Sequence, residues 1–167
     1  VEKSGAAIDK YAASDMRMIK ESAEILRTVI GKIIEQRPDI VMISGDLTKD
    51  GERLSHEFVA SLFERLRAKG IKVLVIPGNH DISNANAKYF NDKERHTAAT
   101  ITRKEFRDIY SHFGYGGDVK CDTASLSYAA EPVKGLVVIG IDSNRDEENL
   151  LKARGDSVNT YHTAGRI

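Results

Sequence analysis

The sequence predicts an α/β fold with a partly parallel sheet, and three observations predict it. Short β-branched apolar runs alternate with longer stretches of helical period. Two of these runs, Ile40-Val41-Met42-Ile43-Ser44 and Val73-Leu74-Val75-Ile76-Pro77, each end at a glycine followed by a polar side chain. One helical pattern lies between them, as a parallel crossover requires.

The elements follow in order. Residues 1–13 are polar and alanine-rich and read as loop. Ser14 reads as an N-cap, with Asp15 at the positive end of the helix it opens. Met18, Ile19, Ile25, Leu26, Val29, Ile30, Ile33 and Ile34 then give one apolar face at helical spacing. Arg37-Pro38 ends that helix, because proline restrains the residue before it. Asp39 to Ser44 is a buried strand and Gly45 to Gly51 a loop.

A second helix is expected from Glu52 to Lys69, with Leu54, Phe58, Val59, Leu62, Phe63 and Leu66 inward and Gly70 as its stop. Ile71 to Ile76 is the next buried strand. Ile82 to Thr100 shows no period and reads as a surface insertion, either a cover for the neighbouring loops or a plain variable loop. Thr102-Arg103-Lys104-Glu105 fits a capping box opening a helix that packs Phe106, Ile109, Tyr110 and Phe113. After a turn at 114–117, Thr123 to Ala129 and Gly135 to Asp142 read as a strand hairpin interrupted by Glu131-Pro132. The tail from Ser143 is polar and loop-rich. With no internal repeat, 1–167 reads as a single domain.

Composition bounds the function. Lys plus Arg and Asp plus Glu both count 25, so the chain lacks the basic excess that a nucleic-acid partner asks for. The lone Cys121 forms no internal disulfide and no Cys-rich zinc site. No apolar run approaches the roughly 20 residues of a membrane span, and no signal peptide is visible. The compartment is left open. The chain opens on Val1 and closes on Arg166-Ile167 in mid-flow, so an incomplete portion of a longer domain is expected.

In a parallel crossover, Asp46, Asn79 and His80 emerge at the carboxyl edge of one sheet, where such sheets bind ligands. Gly45 lets the chain turn so that Asp46 points over that edge, where its carboxylate can bridge two cations or simply face water. Asn79 offers an amide oxygen to a metal. His80 can contact a phosphate oxygen or give a proton to a leaving alkoxide. Asp81 is placed to orient that imidazole. Asp142 ends a strand and either lines the site or closes a turn. His56 reads as exposed, His96 falls in the insertion, His112 lies near a helix end, and His162 reads as a surface residue.

Together the octet Ser44-Gly45-Asp46-Leu47-Thr48-Lys49-Asp50-Gly51 and the tetrad Gly78-Asn79-His80-Asp81 resemble the calcineurin-like metallophosphoesterase family. The likeness runs more weakly through Ser125 to Tyr128 and Ile139 to Ser143, covering roughly residues 15–143. It implies an α/β/β/α sandwich of four layers with a mixed sheet and two divalent metal ions, Mn, Fe or Zn. It implies Asp46 bridging both metals, Asn79 binding the second, and His80 contacting the phosphate of a phosphomonoester or phosphodiester. The cations would clamp the phosphoryl centre and activate a water.

The family's other ligand motifs, an Asp-x-His on the first strand and a late Gly-His-x-His, are missing. Either they lie outside these residues, leaving this chain inactive by itself, or the protein is a non-catalytic relative serving as a binding module. A sheet short of a strand also exposes an edge through which the chain can self-associate. A metal-free nucleotide-binding domain ranks last, because no Gly-x-Gly-x-x-Gly opens a helix.

Overall fold

The first elements are two helices where the sequence predicts one. In the computed structural model, which describes residues 5–15, 17–147 and 149, α1 spans Ala6–Ala13 and α2 spans Ser22–Gln36. The expected loop over 1–13 is therefore helical from Ala6, as its alanines favour. Ser14 closes α1 at its C-terminal end and does not open the next helix. Only Ile8 of α1 is buried. What holds the helix is distant in sequence: Tyr11 packs on Phe90 with ring centroids 5.0 Å apart.

Two strands and the helix between them form the centre. β1 (Ile40–Ile43) is followed by α3 (Arg53–Arg67) and β2 (Lys72–Val75), and the strands pair in parallel with Ile40 opposite Lys72 and Ile43 opposite Val75. One face of this pair, Val41, Ile43, Val73 and Val75, packs with Ile30 of α2 and Val59, Phe63 and Leu66 of α3. The other face, Ile40 and Leu74, meets Tyr128 and Ala130. Leu54, expected inward, is 77 % exposed. His56, expected outward, is fully buried. The rest of the expected inner face holds, with Val59, Leu62, Phe63 and Leu66 buried, and it widens to take in His56 and Ala60.

The insertion at 82–100 carries an antiparallel hairpin, β3 (Lys88–Phe90) and β4 (Arg95–Thr97). α4 (Arg103–Ile109) starts at the expected capping box and runs into a wide turn at Ser111–Tyr115. Phe106, Tyr110 and Phe113 close the helical side of the core.

The last sheet is antiparallel: β5 (Lys120–Cys121), β6 (Tyr128–Val133) and β7 (Leu136–Gly140). β6 begins later than the sequence predicts. The preceding residues form a turn in which Ser125 Oγ donates to Asp122 Oδ2 at 2.6 Å and the Ser127 amide donates to Ser125 Oγ at 3.1 Å. Glu131-Pro132 does not interrupt the hairpin. It lies within β6 at an irregularity in register between Ala130 and Val133, the kind of position where a strand tolerates proline.

Helices, the parallel pair and the antiparallel sheet thus stack as three layers. Among the described residues the parallel and antiparallel parts do not join into one mixed sheet. β1 has a single partner strand there. Between the helical face of β1 and the helices α2 and α3 lies an apolar groove of about 380 Å³, lined by Leu26, Val29, Val41, Ile43, Val59 and Phe63.

Candidate active site

Parallel pairing sends both strand-end loops off the same edge. The two loops interlock at glycine. A Cβ on Gly45 would overlap the main-chain nitrogen of Gly78, and a Cβ on Gly78 would overlap the Asp46 carboxylate. Gly45 (φ 97°) and Asp46 (φ 51°) are both left-handed, a conformation that glycine adopts freely and aspartate tolerates. Asp46 is exposed, and its Oδ1 accepts the His80 amide at 3.3 Å.

Asp81 does not orient the His80 imidazole. Its carboxylate is buried and accepts four hydrogen bonds: from the amides of Leu47 (3.2 Å), Thr48 (3.0 Å) and Gly78 (2.8 Å), and from the Thr48 hydroxyl (2.9 Å). It ties one loop to the other. Thr48 Oγ1 in turn accepts the Gly51 amide at 2.9 Å.

The group that faces the imidazole is Asp50, with Oδ1 3.3 Å from His80 Nδ1. Its other oxygen accepts from Lys49 Nζ at 2.6 Å, and Lys49 also stands 3.8 Å from Asp15. Burial by itself would raise the Asp50 pKa, but the hydrogen bonds from His80 and Lys49 outweigh it and hold the carboxyl below its usual range. The hydrogen bond to Asp50 raises the His80 pKa against the opposing effect of burial, and the charge of Asp46 adds to the rise. The Asp50 carboxylate thus favours the protonated imidazole.

Asn79 lies half-buried beside His80, and its main-chain carbonyl accepts from Asn149 Nδ2 at 3.0 Å. Asp142 lines the same small hollow as Gly78 and Asn79. Its carboxylate is occupied by the amides of Leu126 (3.1 Å) and Asn144 (3.0 Å), so it braces the turn after β7. Asn144 Nδ2 then reaches Pro77 O at 2.7 Å.

The structure thus brings Asp46, Asn79 and His80 to one edge, with Asp142 bordering it, and puts Asp81 behind it. Of the other histidines, His96 is on β4 and His112 pairs with Glu64 at 2.8 Å on the surface. His162 lies outside the described residues, as does the tail from 150. The sequence reading missed Asp50, whose signal was the Asp-Gly pair that closes the octet. It also missed His56, whose signal was its spacing to Val59, Ala60 and Phe63.

Asp46 and Asn79 offer one carboxylate and one amide. Among the described residues no three His, Cys, Asp or Glu side chains converge as a metal site. This pair is part of a donor set and does not by itself fit two cations.

A family model described as calcineurin-like phosphoesterase matches residues 13–162. A protein of Ruthia magnifica subsp. Calyptogena magnifica named "Probable cyclic nucleotide phosphodiesterase" is 42% identical over 59 residues, 35% of this chain and 24% of the relative. One of Rhodopseudomonas palustris with a similar name is 38% identical over 72 residues, 42% of this chain and 25% of the relative. The "Uncharacterized metallophosphoesterase YhaO" of Bacillus subtilis is 39% identical over 66 residues, 38% of this chain and 16% of the relative. The chain spans about a quarter of the length of the first two.

Proposed function

We propose, on the premise that this chain belongs to the calcineurin-like phosphoesterase family, that its two strand-end loops form the phosphate-ester-hydrolysing centre of the intact protein. The observation that carries this reading is the convergence on His80: its amide rests on Asp46 and its imidazole on Asp50. His80, its protonated form favoured by Asp50, gives a proton to the leaving alkoxide or holds a phosphate oxygen. Asp46 and Asn79 are two ligands of a two-cation centre of Mn, Fe or Zn. The rest of the donor set comes from outside the described residues.

The fold supports a source for those ligands. A further strand laid parallel to the open edge of β1 would end beside Asp46. With a helical layer on the outer face of β6 and β7, the molecule would reach the four-layer sandwich, of which these residues are an incomplete single domain. The substrate class is a phosphomonoester or phosphodiester. Cyclic nucleotides head the diesters to try, because two of the relatives carry that name.

The incomplete donor set favours a second reading, a non-catalytic relative that binds a partner. Chelation separates the two. The enzyme reading expects the intact protein to release phosphate or open a diester, to stop in a chelator, and to resume when Mn, Fe or Zn returns. No turnover of any monoester or diester with metal supplied would establish the binding module instead.

A further inference from the structure

His56 is fully buried, and its Nε2 stands 3.5 Å from Thr48 Oγ1 in the loop after β1. Its Nε2 lies 2.8 Å from the main-chain oxygen of Asp81. A carbonyl only accepts, so Nε2 carries the proton. Nδ1 is then the acceptor, and the Tyr110 hydroxyl donates to it at 2.9 Å. The ring is held edge-on between Phe106, at 5.8 Å, and Tyr110, at 5.7 Å. Burial lowers the His56 pKa and raises that of Tyr110, which matches a neutral imidazole on a neutral phenol.

The carbonyl that His56 holds belongs to the residue after His80. That residue's carboxylate ties the loops together, with three of its four hydrogen bonds coming from Leu47 and Thr48 of the other loop. Releasing the carbonyl frees the main chain of Asp81 to rotate, and the carboxylate leaves its four donors together. Resting on the phosphoesterase reading for its catalytic consequence, we propose that His56, fixed by Tyr110, is a positioning residue that sets the distance between Asp46 and His80. The brace runs from α4 through α3 into the second loop, so the helical core determines the spacing of the site.

The test uses the intact protein with His56→Leu, His56→Gln and Tyr110→Phe. Glutamine keeps an N–H where Nε2 donates; leucine keeps volume without a donor. Amide hydrogen exchange reads the brace without needing turnover. We expect Thr48 and Gly78 to exchange about tenfold faster or more in His56→Leu and Tyr110→Phe, with the β2 amides unchanged and His56→Gln restoring protection. In turnover, the same two variants lose kcat while KM stays.

Uniform acceleration of exchange across β2 and the loops would reduce His56 to an ordinary core residue and overturn the proposal. So would unchanged loop amides in a folded Tyr110→Phe protein. If the local exchange pattern appears in a protein that hydrolyses no phosphoester, the functional reading fails and the brace stands.

Discussion

At the scale of single residues, the site depends on two kinds of constraint. Gly45 and Gly78 allow the loops to touch, and Asp50 sets the protonation of His80. A Gly45→Ala change meets both a left-handed backbone and the Gly78 main chain, and is expected to cost at least about 1–3 kcal/mol in denaturant unfolding. Asp50→Asn leaves the side-chain volume and removes the charge. It is expected to lower kcat by roughly 10²-fold with KM little changed, and to add almost nothing to a His80→Ala protein. Additive losses in that double-mutant cycle would mean the pair does not work as a unit. Asp46 was legible because a β-branched run ending in Gly-Asp is a local signal. Asp50 was not, because its role depends on a partner 30 residues away in sequence.

At the scale of elements, α4 is the most explicit case of sequence dictating structure. Thr102 Oγ1 accepts the Glu105 amide at 3.3 Å, while the Thr102 amide donates to Glu105 Oε2 at 2.8 Å. That backbone bond, with the Arg53 pair and the Thr102 hydroxyl, pulls the Glu105 pKa from 4.5 to about 2. The folded value lies below the unfolded one, so the stabilisation is complete above about 4.5 and is lost as pH falls toward 2. Glu105→Gln is therefore expected to flatten the acid limb of a stability-against-pH curve, and an unaltered limb would exclude this cap as its source. The capping box was readable because all its partners lie within four residues. α1 and the β3–β4 hairpin were not, because they hold each other through Tyr11 and Phe90, a contact no local window contains. His56 was misplaced for a related reason: a buried histidine is recognised only with its partners in view.

At the scale of the whole molecule, the three layers leave apolar surface uncovered. On the outer face of β7 and one residue past its end, Val137, Ile139 and Ile141 are 61, 68 and 71 % exposed. Soluble monomers rarely present such a stripe beside an open strand edge. The 167-residue chain by itself is expected to associate with increasing concentration in sedimentation, and Val137→Lys with Ile139→Lys to shift it toward monomer. A monomer at every concentration would show that these surfaces are closed within the chain. Hydropathy could not reveal this, since an apolar strand reads the same whether one face or both find a partner. No helix among the described residues is long and apolar enough to cross a membrane.

The central claim is that the loops after β1 and β2 carry phosphoester hydrolysis. Its most direct test is the initial rate of phosphoester hydrolysis by the intact, metal-supplied protein against its Asp46→Asn and His80→Ala forms, at equal folded fraction. Losses of about 10²–10⁴-fold are expected in both. Undiminished turnover in the two variants would contradict it.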